Sequence, residues 1–203
     1  PARQLLSRVA QVTRTPTDWS RDGRWLIFEE SSPTTGRDLK YVAVDSGGES
    51  RAIVQTRFND HQGRLSPDGR WLAYVSSESG QNEVYVTTFP ARNEVARSTH
   101  GGHLPLWRPD GGELVFIDAP GMLQSVSVAP AGDRLELGAP RALFPLDAVP
   151  SDGWTYAFSR DGQRLLVARP AGSTWQRRLQ VVMHWAQSLN GAAAAGAESV
   201  NTP

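Results

Sequence analysis

Short apolar runs recur along this chain, and each follows the same turn. The phrases TDWSRDGRWLIF, GRLSPDGRWLAY, PLWRPDGGELVF and YAFSRDGQRLLV share an Asp-Gly pair, at Asp22-Gly23, Asp68-Gly69, Asp110-Gly111 and Asp161-Gly162, spaced 46, 42 and 51 residues apart. In the second repeat Trp71, Ala73 and Val75 alternate with Leu72, Tyr74 and Ser76, so both faces of that strand are largely apolar. Such two-sided cover is what sheets packed face to face require. The period and the strand content together predict an all-β fold, a β-propeller of four four-stranded blades.

The Asp-Gly pairs have a mechanical reading. A tight hairpin needs a residue that tolerates positive φ, which Gly supplies, while Asp bonds the turn backbone. Pro67 and Pro109 precede the Asp, where a fixed φ suits the turn. Asp22, Asp68, Asp110 and Asp161 are therefore expected to be structural, despite their likeness to a carboxylate cluster.

The pattern divides the chain into blades at about 15–56, 57–99, 100–146 and 147–187. Residues 1–14 contain an outer-strand candidate, Gln4–Val9, with no blade of its own, and the last blade has no outer strand after His184. Two arrangements answer both facts. Either the N-terminal strand closes the last blade of a four-bladed ring, or the chain is an arc of a larger propeller, with exposed edges that invite assembly. A start at Pro1 without Met fits an excised or processed piece. Residues 188–203 are Ala/Gly-rich without apolar period and predict a disordered tail.

Composition narrows the chemistry. The 203 residues carry zero net charge and 39% hydrophobic residues, enough for a core and without a field to recruit nucleic acid. Twenty of the 21 basic residues are Arg, spread along the chain, and Lys40 is the single Lys. With no Cys, disulfides and thiolate chemistry are excluded. No apolar run approaches a membrane span.

At SPDGRWLAYVSSESGQNEVYV (Ser66–Val86) and WRPDGGELVFI (Trp107–Ile117) the chain resembles TolB-like propeller repeats, also called PD40 or WD40-like, over about residues 15–187. More narrowly it resembles the C-terminal propeller of bacterial transmembrane serine/threonine protein kinases, through those phrases and the closing strand LQVVMHWAQSLN, Leu179–Asn190. The resemblance implies a non-catalytic sensor or protein-interaction module, binding a protein, peptide or small ligand, in an extracytoplasmic compartment. Its alternatives are the gating propeller of a prolyl-oligopeptidase-like serine peptidase and a carbohydrate-binding or lyase-type propeller.

No G-x-S-x-G elbow, P-loop or kinase catalytic motif occurs in these residues, so no catalytic residue, cofactor or metal is assigned. Histidine offers one sharper pattern. His61 and His103 each lie seven residues before an Asp-Gly pair, at the start of the innermost strand of adjacent blades. Those starts line one mouth of a propeller channel. Asp60 and His100 lie in the same loops, and Trp154 holds the matching place in the last blade. Asp60, His61, His100, His103 and Trp154 are therefore the ligand-binding candidates. Trp19, Trp71 and Trp107 fall on strands and are expected to pack between blades.

Overall fold

A computed structural model describes residues 4–7, 9–33, 36–45, 48–93, 95–98, 101–131, 134–146, 156–171, 176–183 and 197–198. Its strands form four antiparallel sheets. The first runs β1 (Thr13–Trp19), β2 (Trp25–Ser32), β3 (Gly36–Ala43), β4 (Arg51–Val54), and the second β5 (Asp60–Leu65), β6 (Trp71–Ser76), β7 (Glu83–Thr88), β8 (Val95–Arg97). In the third, β9 (His103–Trp107), β10 (Glu113–Ile117) and β11 (Met122–Ala131) are followed by β12 (Arg134–Leu137) and β13 (Arg141–Pro145), both paired to β11. The fourth holds β14 (Tyr156–Phe158), β15 (Arg164–Ala171), β16 (Gln176–Met183) and β17 (Ala197–Glu198).

Alternation along the middle strands turns each sheet into a two-faced slab. Ile27, Leu39 and Tyr41 of the first sheet meet Leu65, Leu72 and Tyr74 of the second. The other face of the second sheet, with Trp71, Ala73 and Val75, meets Trp107, Leu114 and Phe116 of the third. Leu104, Val115 and Ile117 then meet Tyr156, Leu165 and Val167 of the fourth. Each large side chain sealed in this way contributes about 1.5–3 kcal/mol. Three cores thus join four sheets in series. Among the described residues no core joins the fourth sheet to the first. The far face of the first sheet is not bare: Glu30 holds Arg14 and Lys40 there, beside the buried Phe28 and Val42.

Two expectations about the ends need correction. Gln4–Ser7 and Val9–Val12 carry no strand, and the Ser7 carbonyl instead accepts a 2.5 Å bond from Arg14 Nη1 on the first sheet. The N-terminal segment therefore lies against the first sheet, where a guanidinium captures its backbone, and does not close the last one. The fourth strand of the last sheet comes from the C-terminal tail, where β17 pairs with β16 through Val181–Glu198 and Val182–Ala197. The rest of the tail, 188–196 and 199–203, lies outside the described residues.

Candidate functional site

The four Asp-Gly turns fix where each first strand ends. Ser20 Oγ donates to Asp22 Oδ1 at 2.6 Å and accepts from the Trp25 amide at 2.9 Å, while Asp22 Oδ1 also accepts from the Arg24 amide at 3.0 Å. Ser66 with Asp68 and Ser159 with Asp161 repeat this pattern. In the third turn Arg108 replaces the Ser, and Asp110 Oδ1 still accepts from the Gly112 amide. Gly23, Gly69, Gly111 and Gly162 all have φ between 69° and 80°. The Ser20 and Ser159 hydroxyls hold the Asp22 and Asp161 carboxyls below the ordinary aspartate range. These carboxylates are occupied by their own turns.

The first strands touch one another from sheet to sheet. Each of β1, β5 and β9 carries a register shift against its neighbour, and in β5 and β9 the shift holds a left-handed residue, Gln62 at φ 56° and Leu104 at φ 54°. Both lie six residues before their Asp-Gly turn. The amide this conformation turns outward finds a side chain on the preceding sheet: Gln62 N donates to Glu29 Oε1, and Leu104 N to Gln62 Oε1, both at 2.7 Å. The matching residue of β1 is Pro16, which has no amide to satisfy.

At the start of these strands lie the histidine candidates. His61 is buried and His103 half-buried, and they are close enough for the charge of one to disfavour the charge of the other. Burial, helped by Arg37 and His103, pushes the His61 imidazolium down to about 4; burial lowers His103 too. Near neutral pH His61 is thus an uncharged imidazole, and among the described residues its buried Nδ1 has no hydrogen-bond partner. Asp60 points elsewhere. Its carboxylate is fully buried, accepts from Thr56 Oγ1 at 2.7 Å, and is raised in pKa by burial against the help of Ser76 and Thr56. It ties its own loop together. His100 and Trp154 lie outside the described residues. Among the described residues no group of three or more His, Asp or Glu is placed to hold a metal.

The other end of the same strands holds a second polar group that the sequence reading passed over. Asp18, Arg64 and Leu106 share one register position in successive sheets, four residues before the turn. Asp18 Oδ2 accepts from the Leu65 amide at 2.7 Å and Oδ1 lies 3.4 Å from Arg64 Nη1. With Trp19, Arg21, Pro67 and Trp107 they line a cavity of about 120 Å³. Burial raises the Asp18 carboxyl, and Arg64 offsets part of that rise. The sequence signal was available: opposite charges at the same register in adjacent repeats.

One position later the register holds Trp19 and Trp107, and their fates differ. Trp107 is buried and its Nε1 donates to the Arg64 carbonyl of the preceding sheet at 3.0 Å. Trp19 is 55% exposed and its Nε1 donates to Gly23 O of its own turn at 2.9 Å. Trp19 therefore does not pack between sheets, contrary to expectation. Among the described residues, no sheet stands before the first to receive it.

No protein-family model matches the chain. An uncharacterised protein of Agrobacterium fabrum is 28% identical over 106 residues, 49% of this chain and 34% of that protein. Among solved structures, TolB from Acinetobacter baumannii superposes with a TM-score of 0.63 at 17% identity, over 82% of this chain and 39% of that one. A puromycin-hydrolyzing peptidase of Mycobacterium tuberculosis gives 0.56 at 23% identity, over 85% of this chain and 30% of that one. The likeness is one of fold, to TolB-like all-β domains, and the same fold serves a peptidase. The chain spans about a third of the curated relative and well under half of either solved structure.

Proposed function

We propose that this chain is an arc of a larger propeller that recognises and admits polypeptide for a peptidase-type protein, with no catalytic group of its own. One contrast carries the reading. Trp107 seals its sheet to the one before it, whereas Trp19, at the same register, faces solvent. A first sheet built like the others, with its contact residue uncovered, is the end of a series.

The recognition role draws on the first strands, which carry Asp18 and Arg64 near one end and His61 and His103 near the other. The peptidase setting draws on the fold shared with the puromycin-hydrolyzing peptidase, of which this chain covers 30%. A sensor module of a receptor kinase, in an extracytoplasmic setting, draws on the phrases at Ser66–Val86 and Leu179–Asn190 and on the likeness to TolB. Both readings call for a protein or peptide partner.

Fluorescence anisotropy with a labelled tryptic digest of casein, run beside a chromogenic aminoacyl-amide assay, tests the proposal. Binding without hydrolysis is expected. Hydrolysis by the chain itself would overturn the non-catalytic part, and absence of binding would overturn polypeptide recognition.

A further inference from the structure

Two register positions recur in every repeat and make the joints between sheets. Three residues before the Asp of each turn stand Trp19, Leu65, Trp107 and Phe158, and five residues after it stand Ile27, Ala73, Val115 and Leu166. The first set reaches back: Leu65, Trp107 and Phe158 each pack into the core shared with the preceding sheet. The second set reaches forward: Ile27, Ala73 and Val115 lie in the same three cores and are fully buried. Trp19 and Leu166 break the rule, at 55% and 37% exposed. With Val9 of the N-terminal segment, they are the exposed large apolar side chains among the described residues.

Trp19 and Leu166 are the unmatched halves of one joint. Among the described residues no sheet precedes the first and none follows the fourth. The joint between the second and third sheets shows how such halves meet. There Trp107 Nε1 donates to the carbonyl of Arg64, which lies across from Ala73. In the fourth sheet Ala157 holds the place of Arg64, is exposed, and lies across from Leu166. Trp71 shares a core with Trp107, and its counterpart on the fourth sheet is the exposed Arg164, a cation suited to the face of the Trp19 indole. The remaining polar contact of a joint is not called for: Pro16 has no amide to satisfy, and Ala168, at the place of Glu29, offers no acceptor.

We propose that the chain docks head to tail with a second copy of itself, the Trp19 face of one first sheet seated on the Leu166 face of the other fourth sheet. Trp19 Nε1 then exchanges Gly23 O for the second copy's Ala157 carbonyl, and both apolar side chains leave water. Because the two faces differ, the contact is heterologous, and every copy carries both halves of it. The proposal rests on the chain being an arc and is independent of polypeptide recognition.

Sedimentation equilibrium up to about 1 mM compares the parent chain, Trp19→Ala, Leu166→Glu and an equimolar mixture of the two variants. Both substitutions lie at exposed positions, and thermal melts check that each variant folds; the parent and one folded variant still decide the matter. The parent is expected to associate reversibly, and each variant alone to associate at least about tenfold more weakly. The mixture is expected to regain association, stopping at pairs, since one variant keeps the forward half and the other the backward half. A parent that stays monomeric, association weakened by neither substitution, or a mixture no more associated than its components would each overturn the proposal. None of these outcomes alters the anisotropy assay, so the peptide reading stands or falls separately.

Discussion

The Leu104 amide donates to Gln62 Oε1 at 2.7 Å, and both residues hold left-handed backbone at the same register of adjacent sheets. A non-glycine residue in that conformation persists when its surroundings hold it there. Here the holding group is a side chain of the sheet before. The Gln62 amide is answered in the same way by Glu29. β5 and β9 are thus each held by a side chain of the sheet before.

Removing the acceptor should loosen the joint between the second and third sheets. Gln62→Ala leaves the Leu104 amide without its partner, and the expected loss is about 1–3 kcal/mol. Gln62→Glu keeps an acceptor and should lose less. Urea denaturation of the two variants checks the order, and an Ala variant as stable as the parent would refute it.

The two tryptophans at one register should respond very differently to truncation. Trp107→Ala removes a buried ring and its bond to the Arg64 carbonyl, at a cost of about 3–5 kcal/mol. Trp19→Ala removes an exposed ring that bonds its own turn, and about 1 kcal/mol or less is expected. Thermal melts at equal concentration measure both.

Two glycines separate backbone strain from crowding. Gly69 has φ 70° and open space where a Cβ would stand, so Gly69→Ala costs the left-handed penalty alone, about 1–2 kcal/mol. At Gly102 a Cβ would lie 2.6 Å from Val84 Cγ2 and 3.1 Å from Phe116 Cδ2. Gly102→Ala overpacks the joint between the second and third sheets, at about 1–3 kcal/mol. Adding Val84→Ala should recover part of the Gly102 loss and none of the Gly69 loss, which a double-mutant cycle reads.

Stability should fall on mild acidification because of His61. Its imidazolium is favoured in the unfolded chain, at about 6.5, and disfavoured in the fold, down to about 4. Above 6.5 both states are neutral, and the native advantage of His61 is whole. Between 6.5 and 4 only the unfolded state gains the proton, so stability is lost progressively, by at most about 3 kcal/mol. Asp18 and Asp60 act in the opposite sense, since burial raises both carboxyls. His61→Phe should therefore flatten the curve between pH 6.5 and 4 in denaturation series, and a curve identical to the parent's would refute the assignment.

The amino-acid sequence by itself determined the features that depend on near neighbours along the chain. The Asp-Gly turns need a left-handed Gly and a carboxylate that accepts from the amide two residues on, helped in three of the four by a hydroxyl two residues before it, and the two-sided strands need only apolar residues in succession. Both are written within a dozen residues, so the all-β repeat and its turns are legible there. The tertiary structure alone decided which sheet stands next to which. Trp19 and Trp107 are the same residue at the same register, yet one is exposed and one is sealed, because among the described residues only the second has a sheet before it. The same cause explains why β17 and not the N-terminal segment completes the last sheet: Arg14 captures the Ser7 carbonyl over the first sheet. It also explains why Asp18 meets Arg64 across two sheets. A repeat can specify its own turn and its own strands, but the identity of its neighbour is set by packing between segments some forty residues apart, which no local pattern records.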